Sequence, residues 1–472
     1  MSLKGKIVKN ISFVSIGEAV SSLLSYFLIV YIARLLGSEG LGIYSFAFAF
    51  VGLFIFFYDF GISTFFIREV SSNRKNAEKY FGHYAALKLI FCAIAMLLPI
   101  ASIVFLRRSL DVNIIVMLAS ISMFFQNYSY VARNTFQAYQ EMEYDAIVRI
   151  AERVFAFAFG IYVLSKGYGL TAFLFVLVLS NLIAVILSIM MLRKLHVKFT
   201  IKADFSVWKS MLKTSWPFWL SIVFIQIYFQ VDTVMLSFMK GYGATGIYNA
   251  AYKLINAISK LPWIVVVVLF PVMSELYGNL SQKLLKDILE KGMHVMTITS
   301  LPMIVGSALL ADRIIFFIYK EGFKDSAIVL QILAWATVFI FLSNILGWFL
   351  NAVNKQKIFA YSTGLSLIIN LALNSALIPK FSYIGASAAT LATAVINFSL
   401  LYYFSTKSGY HINLAKISMK PLLSSFLMGA FILFFGKGIH LLALVPLAAL
   451  LYFLLLALMG DIKKDDFKGI FS

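Results

Sequence analysis

Apolar runs of about 20 residues recur from one end of the sequence to the other. A run of that length crosses roughly 30 Å of hydrocarbon as an α-helix, which satisfies its own backbone polar groups. The runs are continuously apolar and lack the alternation of a membrane-barrel strand. Only 13% of the residues are charged, against about 25% in a typical soluble domain. The sequence therefore predicts an all-α, multi-pass membrane protein.

Charged or Gly/Pro-rich breaks divide the chain into about fourteen apolar segments. Twelve is the alternative count, since the segments 326–353 and 421–437 are the weakest. An even count places both termini on one side of the membrane. We expect fourteen transmembrane helices.

The net charge of +19 would suggest a nucleic-acid partner in a soluble protein. Here its distribution follows the predicted topology. With a cytoplasmic N-terminus, inner segments carry 27 Lys and Arg residues and outer segments carry 10. This excess predicts a cell-membrane protein with both termini in the cytoplasm, and it makes nucleic-acid binding unnecessary.

Two stretches of the chain repeat each other. SEGLGIYSFAF at 38–48 aligns with GATGIYNAAYK at 243–253 when Gly42 is set on Gly246, an offset of 204 residues. GYGLTAFL at 167–174 and YIGASAATL at 383–391 open the sixth and twelfth segments in the same way. A six-helix unit used twice keeps one orientation, and transporters built from such parallel repeats bind substrate between the halves near mid-membrane.

The repeat predicts four parts. They are an N-terminal six-helix lobe (1–195), a basic cytoplasmic linker (196–213), a C-terminal six-helix lobe (214–405) and two extra helices with a cytoplasmic tail (406–472).

Ionisable residues within spans are costly and usually face a cavity or a partner. The candidates for substrate or ion binding are Glu18, Asp59, Lys88, Arg149, Asp232 and Lys253. Structural ion pairs are an equal alternative, because intramembrane charges serve both purposes. Asp59 lies near the inner boundary, where snorkelling to water is the simpler interpretation. Arg149 is either an interfacial anchor or a contact for an anionic headgroup.

Four of these charged residues fall into two pairs of similar depth in the membrane. Glu18 and Lys88 each lie seven or eight residues from the inner face, and Asp232 and Lys253 lie as far from the outer face. We expect Asp232 and Lys253 to pair across the hairpin of the seventh and eighth segments. Reversing both charges tests this: a purely structural pair tolerates Asp232→Lys with Lys253→Asp, whereas a substrate or ion site does not. Lys260 also falls within the eighth segment.

Enzyme chemistry has little support in the sequence. The five histidines are scattered without metal-ligand spacing, and no nucleophile, base and orienting residue recur together. GYGATG at 241–246 follows no strand, so it does not indicate a dinucleotide site. GKG at 436–438 lacks the Ser or Thr of a nucleotide-binding loop. We expect no enzyme activity, no metal and no cofactor, apart from a coupling proton or sodium ion.

Several stretches carry a family resemblance. They are YIARLLGSEGLGIYSFAFAF, YDFGISTFFIREV, RNTFQAYQEMEYDAIVRIAERV, FQVDTVMLS, GATGIYNAAYKLI, LFPVMSEL and YIGASAATLATAVIN, and they extend from about residue 5 to 455. Together they resemble the polysaccharide flippase branch, of the O-antigen repeat-unit type, of the multidrug/oligosaccharidyl-lipid/polysaccharide exporter superfamily. The resemblance implies two six-helix lobes around a cavity and alternating access. It also implies export of a polyprenyl-pyrophosphate-linked oligosaccharide to the outer leaflet, with glycan-assembly enzymes as possible partners.

That substrate agrees with the intramembrane residues. A sugar pyrophosphate is anionic and polar, so it requires basic and amide groups inside the membrane, and Lys88 and Lys253 are candidates for the basic groups. The alternatives are an ion-coupled multidrug or organic-cation antiporter of the same superfamily, an ion-coupled uptake carrier, and a structural membrane protein. A cation antiporter calls for a net acidic cavity, whereas the candidate residues here are as often basic as acidic.

Overall fold

The computed structural model describes residues 3–195, 197–259, 261–278 and 281–461. Within these ranges the chain folds into fourteen α-helices and four short 3-10 helices, without a β-strand. The α-helices are α1 (Leu3–Gly52), α2 (Ile62–Ser72), α3 (Asn76–Phe105), α4 (Leu110–Ala138), α5 (Met142–Ser165), α6 (Gly169–Leu192), α7 (Phe205–Ile258), α8 (Leu261–Gly278), α9 (Gln282–Leu309), α10 (Ala311–Tyr319), α11 (Ser326–Ala352), α12 (Gln356–Lys407), α13 (Leu414–Phe435) and α14 (Leu441–Leu458). The all-α prediction is confirmed.

Most of the described α-helices are long and apolar enough to span a membrane. Nine helices in the described part of the chain meet that requirement by length and composition. Three of the fourteen, α1, α7 and α12, have 50, 54 and 52 residues, and about 20 residues suffice for one crossing. When these three are counted as two segments each, and α2, α8 and α10 are joined to their neighbours, the described chain agrees with the predicted count of about fourteen.

Each of the three longest helices contains one non-helical residue. Gly37 in α1 has φ 67° and ψ −169°, and Gly241 in α7 has φ 81° and ψ −179°. This backbone region is essentially restricted to glycine, because a Cβ atom would clash with the neighbouring peptide groups of its own backbone. The two glycines are 204 residues apart, the same offset as the sequence repeat. The repeat therefore includes the conformation of the break as well as the residues that follow it.

The break in α12 makes a tight helical hairpin. It lies at Ser382, with φ 51° and ψ −131°. The Ser366 hydroxyl, before the break, donates a hydrogen bond to Asn397 Oδ1, after it, at 3.2 Å. A Cβ atom on Gly385 would lie only 2.4 Å from the carbonyl oxygen of Leu377. Glycine at this position therefore permits the close approach of the two halves.

The chain divides into two compact units, Met1–Ser237 and Phe238–Ser472, here called unit 1 and unit 2. Within unit 1, α4 packs against α3 and α6, and α1 packs against α5. Within unit 2, α11 packs against α9 and α12, and α13 packs against α9 and α14. A buried cluster that includes Leu289, Phe341 and Leu401 joins α9, α11 and α12 in the core of unit 2.

The predicted linker 196–213 is partly helical, because α7 begins at Phe205. The Asp204 carboxylate caps the helix, accepting hydrogen bonds from the Ser206 hydroxyl at 2.7 Å and the Ser206 N–H at 2.8 Å. These hydrogen bonds, that of the Ser206 hydroxyl first, lower the pKa of Asp204. The four-part division of the chain stays a prediction.

Candidate functional site

The candidate functional site lies in unit 1, where charged side chains from α1 to α5 meet. Two hydrogen-bonded groups of residues form it. We call them the lysine network (Asp59, Ser63, Lys88, Tyr84 and Asn134) and the arginine network (Glu18, Arg133, Asp145 and Arg149).

The lysine network is centred on an ion pair between Lys88 of α3 and Asp59, which lies in the turn before α2. The Ser63 hydroxyl donates a hydrogen bond to the same Asp59 carboxylate. Ser63 also contacts the Tyr84 hydroxyl at 2.9 Å, and the Asn134 amide donates to Tyr84 at 2.8 Å. The network therefore ties the short helix α2 to α3 and α4.

The arginine network joins three helices through ionic contacts. Arg133 Nε on α4 lies 2.5 Å from Asp145 Oδ1 on α5. Arg149, one turn further along α5, lies 2.9 Å from the other oxygen of Asp145. Arg149 also reaches Glu18 on α1, where Nη1 lies 2.5 Å from Oε2. Arg149 is thus shared between two carboxylates.

The two networks meet on α4, where Arg133 and Asn134 are consecutive residues. Each network is electrically balanced. One ammonium faces one carboxylate in the first network, and two guanidinium groups face two carboxylates in the second. Balanced pairs lower the cost of placing charge in a membrane protein.

Exposure separates the basic residues into two kinds. The side chains of Lys88 and Arg133 are only 3% and 4% exposed. The side chain of Arg149 is 25% exposed, and that of its partner Glu18 is 48% exposed. Of these three basic groups, Arg149 is therefore the one that a ligand can reach without unpacking the unit.

The structure brings together four of the six predicted residues. Lys88 pairs with Asp59 and Arg149 pairs with Glu18, so the shared depth of Glu18 and Lys88 did not identify their partners. Helix packing, which depth ignores, selected different pairs. A binding role for any of the four stays a prediction.

The other two predicted residues lie on α7. Asp232 is buried before the break at Gly241, and Lys253 is partly buried after it. Their pairing and their binding role stay predictions. Lys260 lies outside the described residues.

Sequence reasoning missed Arg133 and Asp145. The 27 basic residues assigned to the inner side include Arg133, in the predicted inner segment 133–153. In the structure Arg133 lies within α4, five residues before the end of that helix. A usable signal was present, since Arg133 and Asp145 lie at similar distances on either side of the turn between α4 and α5. The depth comparison that we applied to Asp232 and Lys253 would have found this pair.

Metal binding has no support in the described part of the chain. No group of three or more His, Cys, Asp or Glu residues lies close enough there to hold a metal ion.

A bundle of apolar helices with short connections and a charged, hydrogen-bonded interior defines a multi-pass membrane transporter. The chain belongs to the polysaccharide biosynthesis protein family, whose sequence model matches residues 7–277. The sequence model of the lipid II flippase MurJ family also matches, over residues 155–457. The resemblance to the polysaccharide flippase branch and the prediction that the chain is not an enzyme are thereby confirmed.

Individual proteins agree with this assignment. A probable low-salt glycan biosynthesis flippase of Haloferax volcanii is 22% identical over 250 residues, which span 52% of this chain and 53% of that protein. The structure of lipid II flippase MurJ in an inward closed conformation superposes with a TM-score of 0.79 at 17% identity, covering 96% of this chain and 99% of MurJ. An inward-facing multidrug resistance MATE transporter superposes with a TM-score of 0.64 at 13% identity, covering 84% of this chain and 98% of that transporter. The two structural likenesses show a shared fold.

Proposed function

We propose that this protein is a flippase that moves a polyprenyl-pyrophosphate-linked oligosaccharide from the cytoplasmic to the outer leaflet by alternating access. The observation that carries the proposal is the partly exposed Arg149–Glu18 contact, which lies within the region matched by the polysaccharide biosynthesis family. This contact places a guanidinium group within unit 1, beside a carboxylate that an anionic ligand can replace.

Arg149 is the residue that we assign to the pyrophosphate. A guanidinium group presents five N–H donors in a planar fork that matches phosphate oxygens as well as carboxylate oxygens. A phosphate group can therefore replace Glu18 as a partner of Arg149, while Asp145 continues to hold Arg149 in place from 2.9 Å. Glu18, once released, is a carboxylate that a coupling proton or sodium ion can neutralise.

Lys88 and Arg133 have a supporting role in this proposal. Both are almost fully buried and each is paired with a carboxylate, and breaking such a buried pair is strongly unfavourable. They hold α2, α4 and α5 in position around Arg149. We thus propose a structural role for Lys88, which the sequence also presents as a candidate substrate contact.

We also propose a location and partners for the protein. The excess of 27 basic residues on one side over 10 on the other supports the cell membrane, with both termini in the cytoplasm. Enzymes that assemble the oligosaccharide on its lipid carrier would supply the substrate on that side.

A cation antiporter is the alternative that the MATE fold raises. A cationic substrate calls for uncompensated acidic groups, whereas both networks of unit 1 contain as many basic groups as carboxylates. Unit 1 therefore offers a cation no surplus of acidic groups, and the sequence match to glycan and lipid II flippases favours the lipid-linked oligosaccharide.

The test is a leaflet-resolved assay of lipid-linked oligosaccharide in cells that lack the protein and are complemented with variants. Arg149→Gln is expected to lower flipping about 10- to 100-fold, the loss expected for one charged hydrogen-bonding group. Arg153→Gln with Glu152→Gln is the matched control, because Arg153 lies one turn away on α5, is 29% exposed and pairs with Glu152, which is 3% exposed. Neutralising both partners leaves no buried charge alone. Flipping by this control is expected to stay close to that of the wild type.

Two outcomes contradict the proposal. Equal losses in the two arginine variants at equal expression would remove the special role of Arg149. Normal glycan export in the deletion strain, with greater sensitivity to cationic drugs, would favour the antiporter.

A further inference from the structure

Unit 2 contains a cleft that the proposed function does not use. It lies among α8, α9 and α13 and has a volume of about 650 Å³. Its apolar wall includes Leu269, Val272, Leu284 and Ile288. The volume is within the usual range of small-molecule sites, about 300–1,000 Å³. An apolar wall of this kind suits a hydrocarbon chain.

Three lysines are among the residues that line the cleft. Lys291 comes from α9, and Lys416 and Lys420 come from α13. Both helices contribute these residues near their N-terminal ends, in the segments 275–292 and 405–420 that carry three basic residues each. Basic pockets between transmembrane helices on the basic side of a protein are the usual sites for anionic lipid headgroups.

Two of the three carboxylates that line the cleft are engaged in ion pairs. Glu290 Oε1 lies 3.8 Å from Lys286 Nζ, and Asp461 Oδ1 lies 3.6 Å from Lys420 Nζ. Asp287 is the third lining carboxylate. Among the described residues Lys291 and Lys416 form no ion pair, and both are exposed. Two lysines are therefore available to an anion against one remaining carboxylate.

His294 also lines the cleft and lies beside Asp461. Its Nδ1 lies 2.8 Å from the carbonyl oxygen of Ile417, and its Nε2 lies 3.2 Å from Asp461 Oδ2. The Lys420 ammonium pairs with the other oxygen of Asp461 and reduces the repulsion of a bound anion by that carboxylate.

We propose that this cleft binds an anionic membrane phospholipid, with the phosphate group at Lys291 and Lys416 and an acyl chain along the apolar wall. The ligand class follows from two lysines without an ion pair among the described residues and an apolar surface in the same cleft. This site is separate from the charged networks of unit 1 and does not depend on which substrate the protein transports.

Native mass spectrometry of the full-length protein, titrated with phosphatidylglycerol, tests the site. Lys291→Gln with Lys416→Gln is expected to weaken the tightest phosphatidylglycerol binding about 30-fold, because each lysine near an anionic headgroup contributes a few-fold to tenfold in affinity. Lys420 is left unchanged because it pairs with Asp461. A photoreactive phosphatidylglycerol is expected to label peptides from α8, α9 or α13.

Lys283→Gln with Lys357→Gln is the matched control. Both residues are exposed, lie in segments of the same predicted side and do not line the cleft. The control therefore removes two lysine charges from the same side and leaves the cleft unchanged. Thermal unfolding in phosphatidylcholine nanodiscs is expected to match between the two variants, which would show that both are folded.

Three results would overturn the proposal. One is an equal loss of binding in the cleft variant and its control. Another is displacement of the lipid by inorganic phosphate alone, which would show that the apolar wall adds nothing. The last is photolabelling at the cleft by a polyprenyl phosphate that phosphatidylglycerol does not compete away, which would assign the cleft to the transported lipid.

Discussion

Lys88 illustrates what a single charge does inside unit 1. Its side chain is 3% exposed and its ammonium group contacts Asp59, which also accepts a hydrogen bond from Ser63. The contribution of such a pair to stability is small compared with the penalty for leaving one partner alone, because the Asp59 carboxylate, which is 27% exposed, would remain without its ionic partner. The pair therefore fixes which helices meet rather than adding much net stability.

This asymmetry predicts a specific pattern of variants. Lys88→Met is expected to destabilise the protein by about 1–3 kcal/mol, because the Asp59 carboxylate left without a partner is partly exposed. The effect is seen as a lower thermal unfolding midpoint in detergent. Adding Asp59→Leu to Lys88→Met is expected to recover most of the loss, because no buried charge remains. Lys79→Met on the exposed side of α3 is the control and is expected to change the midpoint little. A double variant as unstable as the single one would contradict the ion-pair explanation.

At the scale of helices, the breaks at Gly37 and Gly241 decide how the chain passes from one span to the next. Both residues have positive φ with ψ near 180°, and both have open space where a Cβ atom would lie. The requirement for glycine is therefore conformational and not a matter of packing. A sequence that placed another residue there would strain the backbone.

Gly241→Ala is accordingly expected to destabilise the protein by about 1–3 kcal/mol, and Gly37→Ala by a similar amount. Gly243→Ala is a close control, because Gly243 also has open space around it but has helical backbone angles. It is expected to be neutral or stabilising, since alanine favours a helix by about 1 kcal/mol over glycine. Thermal unfolding midpoints measure all three, and similar losses at Gly241 and Gly243 would refute the conformational argument.

At the scale of the whole molecule, topology is the property that the charge distribution predicts. Labelling of single cysteines tests the topology. Cys92, which is the only cysteine in the sequence and is buried, is first replaced. Lys240→Cys is expected to react with a membrane-impermeant maleimide added to intact cells. Lys198→Cys, in the basic linker, is expected to react only after the membrane is opened. The reverse pattern would invert the proposed orientation.

The sequence alone determined the helical architecture, the approximate number of spans and the family. In a membrane each backbone N–H and C=O must be satisfied within its own segment, so an apolar run becomes a helix whatever its neighbours are. The repeat offset of 204 residues was also visible, and the breaks at Gly37 and Gly241 follow it. These properties are local or periodic along the chain, so they can be predicted from the sequence.

Only the tertiary structure decided which charges meet. Glu18 and Arg149 are 131 residues apart. Lys88 pairs with Asp59 and not with Glu18, the residue of similar predicted depth. Depth along a helix follows from the sequence, but the direction in which each side chain points depends on how the helix is rotated against its neighbours. That rotation is set by the packing of many side chains at once. For the same physical reason Arg133 looked like a loop residue in the sequence and is a buried ionic partner in the fold.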